Sequence, residues 1–132
     1  MEKRFERLTE EEENLGRAVV DAAYKVHREL GPGLMEKVYE VCLVYELRKR
    51  GIACQRQILF PIIYDGQEMD EALRLDILVA DLVIIEAKAR DEINPVWPAQ
   101  VLSHLKHMNK RLGFLINFNV PLIKNGIKRF VR

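Results

Sequence analysis

The sequence predicts a mixed α/β fold, one β-sheet flanked by helices, in the order ααββββαβ with a further strand at the end. Three observations predict it. Apolar residues recur at helical spacing through the first fifty positions, the period becomes strand-like from Ile52, and one more helical stretch lies between the later strands. The 132 residues, 48% apolar and 31% charged, suit one globular domain spanning 1–132, with residues 1–8 expected to be loosely packed. Cys42 and Cys54 stand outside any CxxC or Cys/His metal spacing and make no disulfide framework. No apolar run approaches the roughly 18–20 residues that span a bilayer. The charged stretch MEKRFERLTEEEEN lacks the apolar core of a signal peptide, so the expected compartment is the cytoplasm, with no membrane partner.

The elements follow in order. Thr9 can cap a helix, Glu12 stands at the capping-box position, and the acids Glu10 to Glu13 favour the positive end of the helix dipole. Leu15, Val19, Ala22, Ala23, Val26 and Leu30 form its apolar stripe, and Gly31-Pro32-Gly33 ends it. A second helix is expected from Leu34 to Arg50, with Leu34, Val38, Val41, Leu43, Val44 and Leu47 apolar and Gly51 as its stop. Ile58 to Tyr64 leads into Asp65-Gly66, a strong hairpin signal. Leu73, Leu75, Ile77 and Val79 alternate with Arg74, Asp76 and Leu78, and Leu82 to Ile85 is continuous, as in a strand buried on both faces. Pro95 to Lys110 reads as a third helix, with Val101, Leu102, Leu105 and Met108 on one side. Leu112 to Phe118 and Ile127 to Val131 complete the strands.

A net charge of +1 conceals an asymmetry. Residues 1–92 carry 14 Lys/Arg against 20 Asp/Glu, whereas residues 93–132 carry 7 Lys/Arg and no acid. A block without carboxylates could face a polyanion, with Lys106, Lys110 and Arg111 as the contacts, or could simply solvate a helix and the chain end.

The chemistry concentrates in Asp76 and in Glu86-Ala87-Lys88. Strand positions two apart share a face, so Glu86 and Lys88 project together from a strand that is otherwise Val, Ile and Leu. Desolvating two charges there is costly without partners. Asp76 lies on the adjoining strand. A turn centred on Asp81 puts it opposite Glu86, whereas a two-residue Ala80-Asp81 turn puts it opposite Ile85 and on the wrong face. Two converging carboxylates repel unless a cation lies between them. Hard oxygen ligands with room for water suit Mg²⁺ or Mn²⁺. An ordinary Glu–Lys ion pair at a strand end is the plainer reading of the same residues.

Gly33, Glu36 and Tyr39 spell GxxExxY at the start of the second helix. Together with HRELGPGLMEKVYEVCLVYELRKRGI, RLDILVADLVIIEAKA, AQVLSHLKHMNKRLGFLINFNVP and NGIKRFV, they make the chain resemble the GxxExxY protein family from about Leu15 to Val131. That family is placed in the PD-(D/E)XK nuclease superfamily. The resemblance implies a restriction-endonuclease-like mixed sheet and a Mg²⁺- or Mn²⁺-dependent nuclease. It implies that Asp76, Glu86 and Lys88 are the active-site acids and lysine, and that Glu36 is an extra acid sharing the metal with Asp76 and Glu86, directly or through water. It also implies that Gln100 is the glutamine of a QxxxY helix pattern, in which His104 replaces the tyrosine.

Outside that set, Tyr39 is expected to pack with its hydroxyl bonded, and Gly33 to serve a positive φ. Trp97, between Pro95 and Pro98, is expected to staple a loop to the core. His104 and His107 can share a helix face but lack further zinc ligands, and His27 reads as a packing residue. The expectation is a phosphodiesterase acting on nucleic acid, DNA or RNA. Its rivals are a non-catalytic scaffold of the same fold and an enzyme acting on a small phosphate ester. Assembly into a homo-oligomer is left open.

Overall fold

The structure, a computed structural model, describes residues 6–132. Helix α1 (Glu10–Leu30) starts with a full capping box: the Thr9 hydroxyl accepts from the Glu12 amide, and the Glu12 carboxylate accepts from the Thr9 amide. Leu8 packs on the core, and Arg111 donates to the carbonyls of Glu6 and Arg7. Residues 6–8 are therefore tied down rather than loose, and residues 1–5 of the expected loose segment lie outside the described residues. Among the described residues, no helix is long and apolar enough to cross a membrane.

Helix α2 (Glu36–Lys49) begins two residues later than its apolar pattern suggests, because Gly33 at φ 98° and extended Met35 hold the chain outside the helix. The α2 stripe also divides. Tyr39, Leu43, Val44 and Leu47 are buried, whereas Leu34, Val38 and Val41 face solvent. The sheet follows as β1 (Cys54–Tyr64), β2 (Gln67–Val79), β3 (Val83–Lys88), β4 (Leu112–Asn117) and β5 (Ile127–Val131), side by side in that order. Three strands, not four, precede helix α3 (Val96–Met108), because residues 54–64 run as one strand. The β3–β4 pair is parallel and spans α3 as its crossover, and the other three pairs are antiparallel.

The sheet separates two apolar layers. Leu15, Val19, Leu43, Leu47, Ile77, Ile85, Phe114 and Ile116 pack under α1 and α2. Phe60, Leu75, Leu78, Ile84, Trp97, Val101, Leu105 and Leu115 pack under α3. Leu102, expected on the buried side of α3, is 45% exposed instead. His27 is buried, and its Nε2 meets the Val120 carbonyl at 2.7 Å, as a packing histidine does.

Candidate active site

Register decides where Asp76 stands. Val79 pairs with Val83 and Ile77 with Ile85, so Ala80, Asp81 and Leu82 form an odd, three-residue turn centred on Asp81. Ala80 and Asp81 both take positive φ, 49° and 58°, to make it. Regular pairing of β2 with β3 stops at Ile77, and the next rung places Asp76 across from Glu86. There the Asp76 Oδ2 accepts from the Ala87 amide at 2.9 Å, a side chain taking the place of the lost ladder.

Glu86 and Lys88 point toward α3, as their parity with Ile84 requires. Glu86 is only 5% exposed, and its Oε1 lies 2.5 Å from His104 Nδ1. Against an ionised carboxylate the ring N–H is the donor. Phe60 meets the His104 ring edge-on, with centroids 5.8 Å apart, and so fixes its plane. Lys88 Nζ lies 5.6 Å from the centroid of the Trp97 ring, within cation–π range. Trp97 is buried in the α3 layer, so it serves packing and the lysine together.

Two further elements complete the surroundings. The Tyr39 hydroxyl donates to the Gly31 carbonyl at 2.6 Å and accepts from the Leu34 amide at 3.0 Å, while its ring stacks on Phe118 at 4.6 Å. Asn119 Oδ1 accepts from the Gly33 amide at 3.0 Å. These contacts fix the loop that delivers Glu36 to the first turn of α2. After β3, Asn117 clamps Arg90: its Oδ1 accepts from the Arg90 amide at 3.1 Å, and its Nδ2 donates to the Arg90 carbonyl at 3.0 Å. Gly126 is what lets Asn117 sit there, because a Cβ at Gly126 would lie 2.1 Å from the Asn117 carbonyl oxygen. Gly126→Ala is therefore expected to lower unfolding free energy by about 2–3 kcal/mol in a denaturant titration, and an unchanged midpoint would refute this close approach.

The electrostatics single out Asp76. Its carboxyl is pushed up to about 7, first by burial and then by the adjacent Glu86 carboxylate, with the Ala87 amide and Lys88 opposing. Glu36 is also raised, by burial first; Lys88 counteracts this, and Asp76 adds to it. The structure thus brings Asp76, Glu86, Lys88 and Glu36 into one neighbourhood. Among the described residues, however, no three His, Cys, Asp or Glu side chains converge as a ready metal cage. Glu36 does not complete a three-carboxylate set with Asp76 and Glu86. Gln100 is exposed, one turn from both Trp97 and His104 on the same side of α3.

The basic residues are not at this site. Helix α3 runs antiparallel to β3, so its C-terminal end lies by the β2–β3 turn, at the other end of the strand from Lys88. Lys110 Nζ pairs there with Asp81 at 3.4 Å, and Arg111 holds the carbonyls of residues 6 and 7. Lys106 shares that end. The cations that act on these carboxylates are Lys88, on Asp76 and Glu36, and Arg90, on Glu36.

The sequence reading did not single out His104 as the partner of Glu86, nor Asn117. The signal for His104 was available in its position, one turn after Gln100 on the helix that covers the Glu86 face. Asn117 had none, since its role depends on the loop it clamps.

The model of the PD-(D/E)XK nuclease superfamily matches residues 13–130 of the chain. The chain belongs to this superfamily. No curated protein and no solved structure matches it. The three helices and five-stranded mixed sheet are consistent with the restriction-endonuclease-like fold of the PD-(D/E)XK nucleases, which generally use divalent metal ions. The donor chemistry here fits such an ion. Desolvation, with the neighbouring Glu86 carboxylate adding to it, makes half-buried Asp76 retain a proton to about 7, and a hydrated divalent cation needs only one or two carboxylates from the protein.

Proposed function

We propose that this PD-(D/E)XK domain is a Mg²⁺- or Mn²⁺-dependent phosphodiesterase acting on nucleic acid, and that within the superfamily it is a GxxExxY protein. The observation that carries the reading is the Asp76–Glu86 carboxyl pair, with Lys88 beside it, where β2 parts from β3. Asp76 and Glu86 would hold the ion, and Glu36 would bind its water. When bound, the ion supplies a Lewis acid for the phosphoryl oxygen and a more acidic water.

The chain's own groups do the rest. His104 keeps Glu86 Oε1 occupied, so the other carboxylate oxygen is the one that would serve the ion. Lys88, held over Trp97, supplies positive charge to the attacking water and to the developing phosphorane. Gln100, on the rim, can hydrogen-bond a phosphate or that water. Free Cys42 and Cys54 suit a reducing, cytoplasmic location.

A second reading, a non-catalytic binding protein, is favoured by the placement of Lys106, Lys110 and Arg111 away from the carboxylates. Incubating the protein with mixed single- and double-stranded DNA and RNA in Mg²⁺ or Mn²⁺ separates the two. Cleavage lost in Asp76→Ala is expected. Absence of cleavage, together with no calorimetric Mn²⁺ binding, would overturn the phosphodiesterase.

A further inference from the structure

Glu40 is the most deeply buried carboxylate among the described residues, at 2% exposure, and it lies outside the metal-holding pair. Its Oε1 accepts from Arg56 Nε at 3.1 Å, and both of its oxygens accept from Gln57 Nε2, at 2.9 and 3.1 Å. A buried carboxylate requires such partners. One of these partners has an unusual backbone. Gln57 sits inside β1 at φ 51°, the left-handed region that non-glycine residues rarely occupy in a strand.

That residue stands opposite Asp76. Arg56 pairs with Ile77 and Ile58 with Leu75, so Gln57 and Asp76 share the intervening rung, and they do not pair. Both strands change layer there. Ile77 packs under α1 and α2, but Leu75, two residues away, packs under α3. On β1, Arg56 reaches Glu40 of α2, whereas Ile58 joins the α3 layer. Simple alternation would put residues 75 and 77 on one face and send Asp76 to the other. The coordinated turnover instead leaves Asp76 between the layers, with its carboxylate on the Ala87 amide.

We propose that Glu40 and Gln57 are positioning residues for Asp76. Glu40 anchors the Gln57 side chain, the anchor holds the left-handed backbone of β1, and the paired turnover of β2 delivers Asp76 to the gap beside β3. The consequence for metal affinity rests on the proposed phosphodiesterase reading, but the position of the Asp76 carboxylate does not.

The test uses the full chain in four variants: Gln57→Val, Gln57→Gly, Glu40→Leu, and Glu40→Leu combined with Gln57→Gly. Valine resists positive φ and favours regular strand, whereas glycine adopts the left-handed backbone without an anchor. Two readouts are taken: the Ala87 amide by NMR shift and hydrogen exchange in metal-free protein, and Mn²⁺ affinity by calorimetry. Gln57→Val and Glu40→Leu are expected to lose the Ala87–Asp76 bond and at least about tenfold in Mn²⁺ affinity. Gln57→Gly should keep both, and adding it to Glu40→Leu should restore both. If Glu40→Leu fails to fold, the valine–glycine pair still decides. A glycine variant as impaired as valine, or a valine variant with its Ala87 bond intact, overturns the proposal. Wild type that binds no Mn²⁺ would instead overturn the phosphodiesterase reading, and the Ala87 amide would still decide the positioning.

Discussion

Lys88→Ala is expected to abolish phosphodiester cleavage while leaving Mn²⁺ binding at pH 8 intact or slightly tighter. The side chain lies on the Glu86 face and over Trp97, so its removal takes away a cation and no oxygen donor. Lys88 also opposes the upward shifts of Asp76 and Glu36, and its loss lets both hold protons more firmly. Measuring at pH 8 keeps that competition small. Asp76→Ala should lose cleavage and ion together, because it deletes half of the carboxylate pair. Each loss of turnover should be on the order of 10²-fold or more, the usual effect of removing an electrostatic stabiliser from a preorganised site. Single-turnover cleavage alongside calorimetry separates the two variants. If Lys88→Ala lost Mn²⁺ binding as completely as Asp76→Ala, the lysine would be part of the ion's support and not a group acting on water.

The second large effect is a dependence on pH. Asp76 in the folded protein gives up its proton near 7, whereas an ordinary aspartate does so near 3.8. Between those values the folded chain holds a proton that the unfolded chain releases. The associated stability is therefore full below about pH 4, declines as pH rises, and is gone above 7. Asp76→Asn keeps an amide oxygen for Ala87 but has no charge to bury beside Glu86. It should accordingly be more stable than wild type at pH 8 by on the order of 2 kcal/mol, after allowing for solvent screening, and no more stable at pH 4. A divalent ion competes with the same proton, so Mn²⁺ should bind weakly at pH 5, strengthen through pH 7, and raise the wild-type melting temperature more at pH 8 than at pH 6. Denaturant titrations of both proteins across pH 4–8 provide the check. A stability difference independent of pH would mean that Asp76 is ionised throughout.

Much of the scaffold could be read locally, because its causes are local. The Thr9–Glu12 capping box forms as written, and the Asp65-Gly66 turn takes positive φ at both residues, 54° and 72°, as a two-residue hairpin requires. Strand parity alone put Glu86 and Lys88 on one face. Gly33 adopts its positive φ, and Tyr39 packs with its hydroxyl bonded at both lone pair and proton. The α2 pattern misled for a physical reason. Its apolar residues cover more of the helix than the sheet can bury, so Leu34, Val38 and Val41 remain in water.

What the sequence by itself determined, then, is the mixed sheet with its flanking helices and the placement of Glu86 and Lys88 on one strand face, since capping, turn chemistry and side-chain period act over a few residues. Tertiary structure decided the rest. The register of the β2–β3 turn depends on whether Ala80 and Asp81 adopt left-handed backbone, and composition does not dictate that. The position of Asp76 depends on Gln57 across the ladder and on Glu40 a helix away. The contact of His104 with Glu86 needs the α3 crossover. The acid-free segment could have faced a polyanion or merely solvated a helix and the chain end, and the direction of α3 carries Lys106, Lys110 and Arg111 to the far end of the sheet, where Asp81 and the carbonyls of residues 6 and 7 engage two of them. Charge counted along a chain becomes a surface only after the fold has chosen which ends meet.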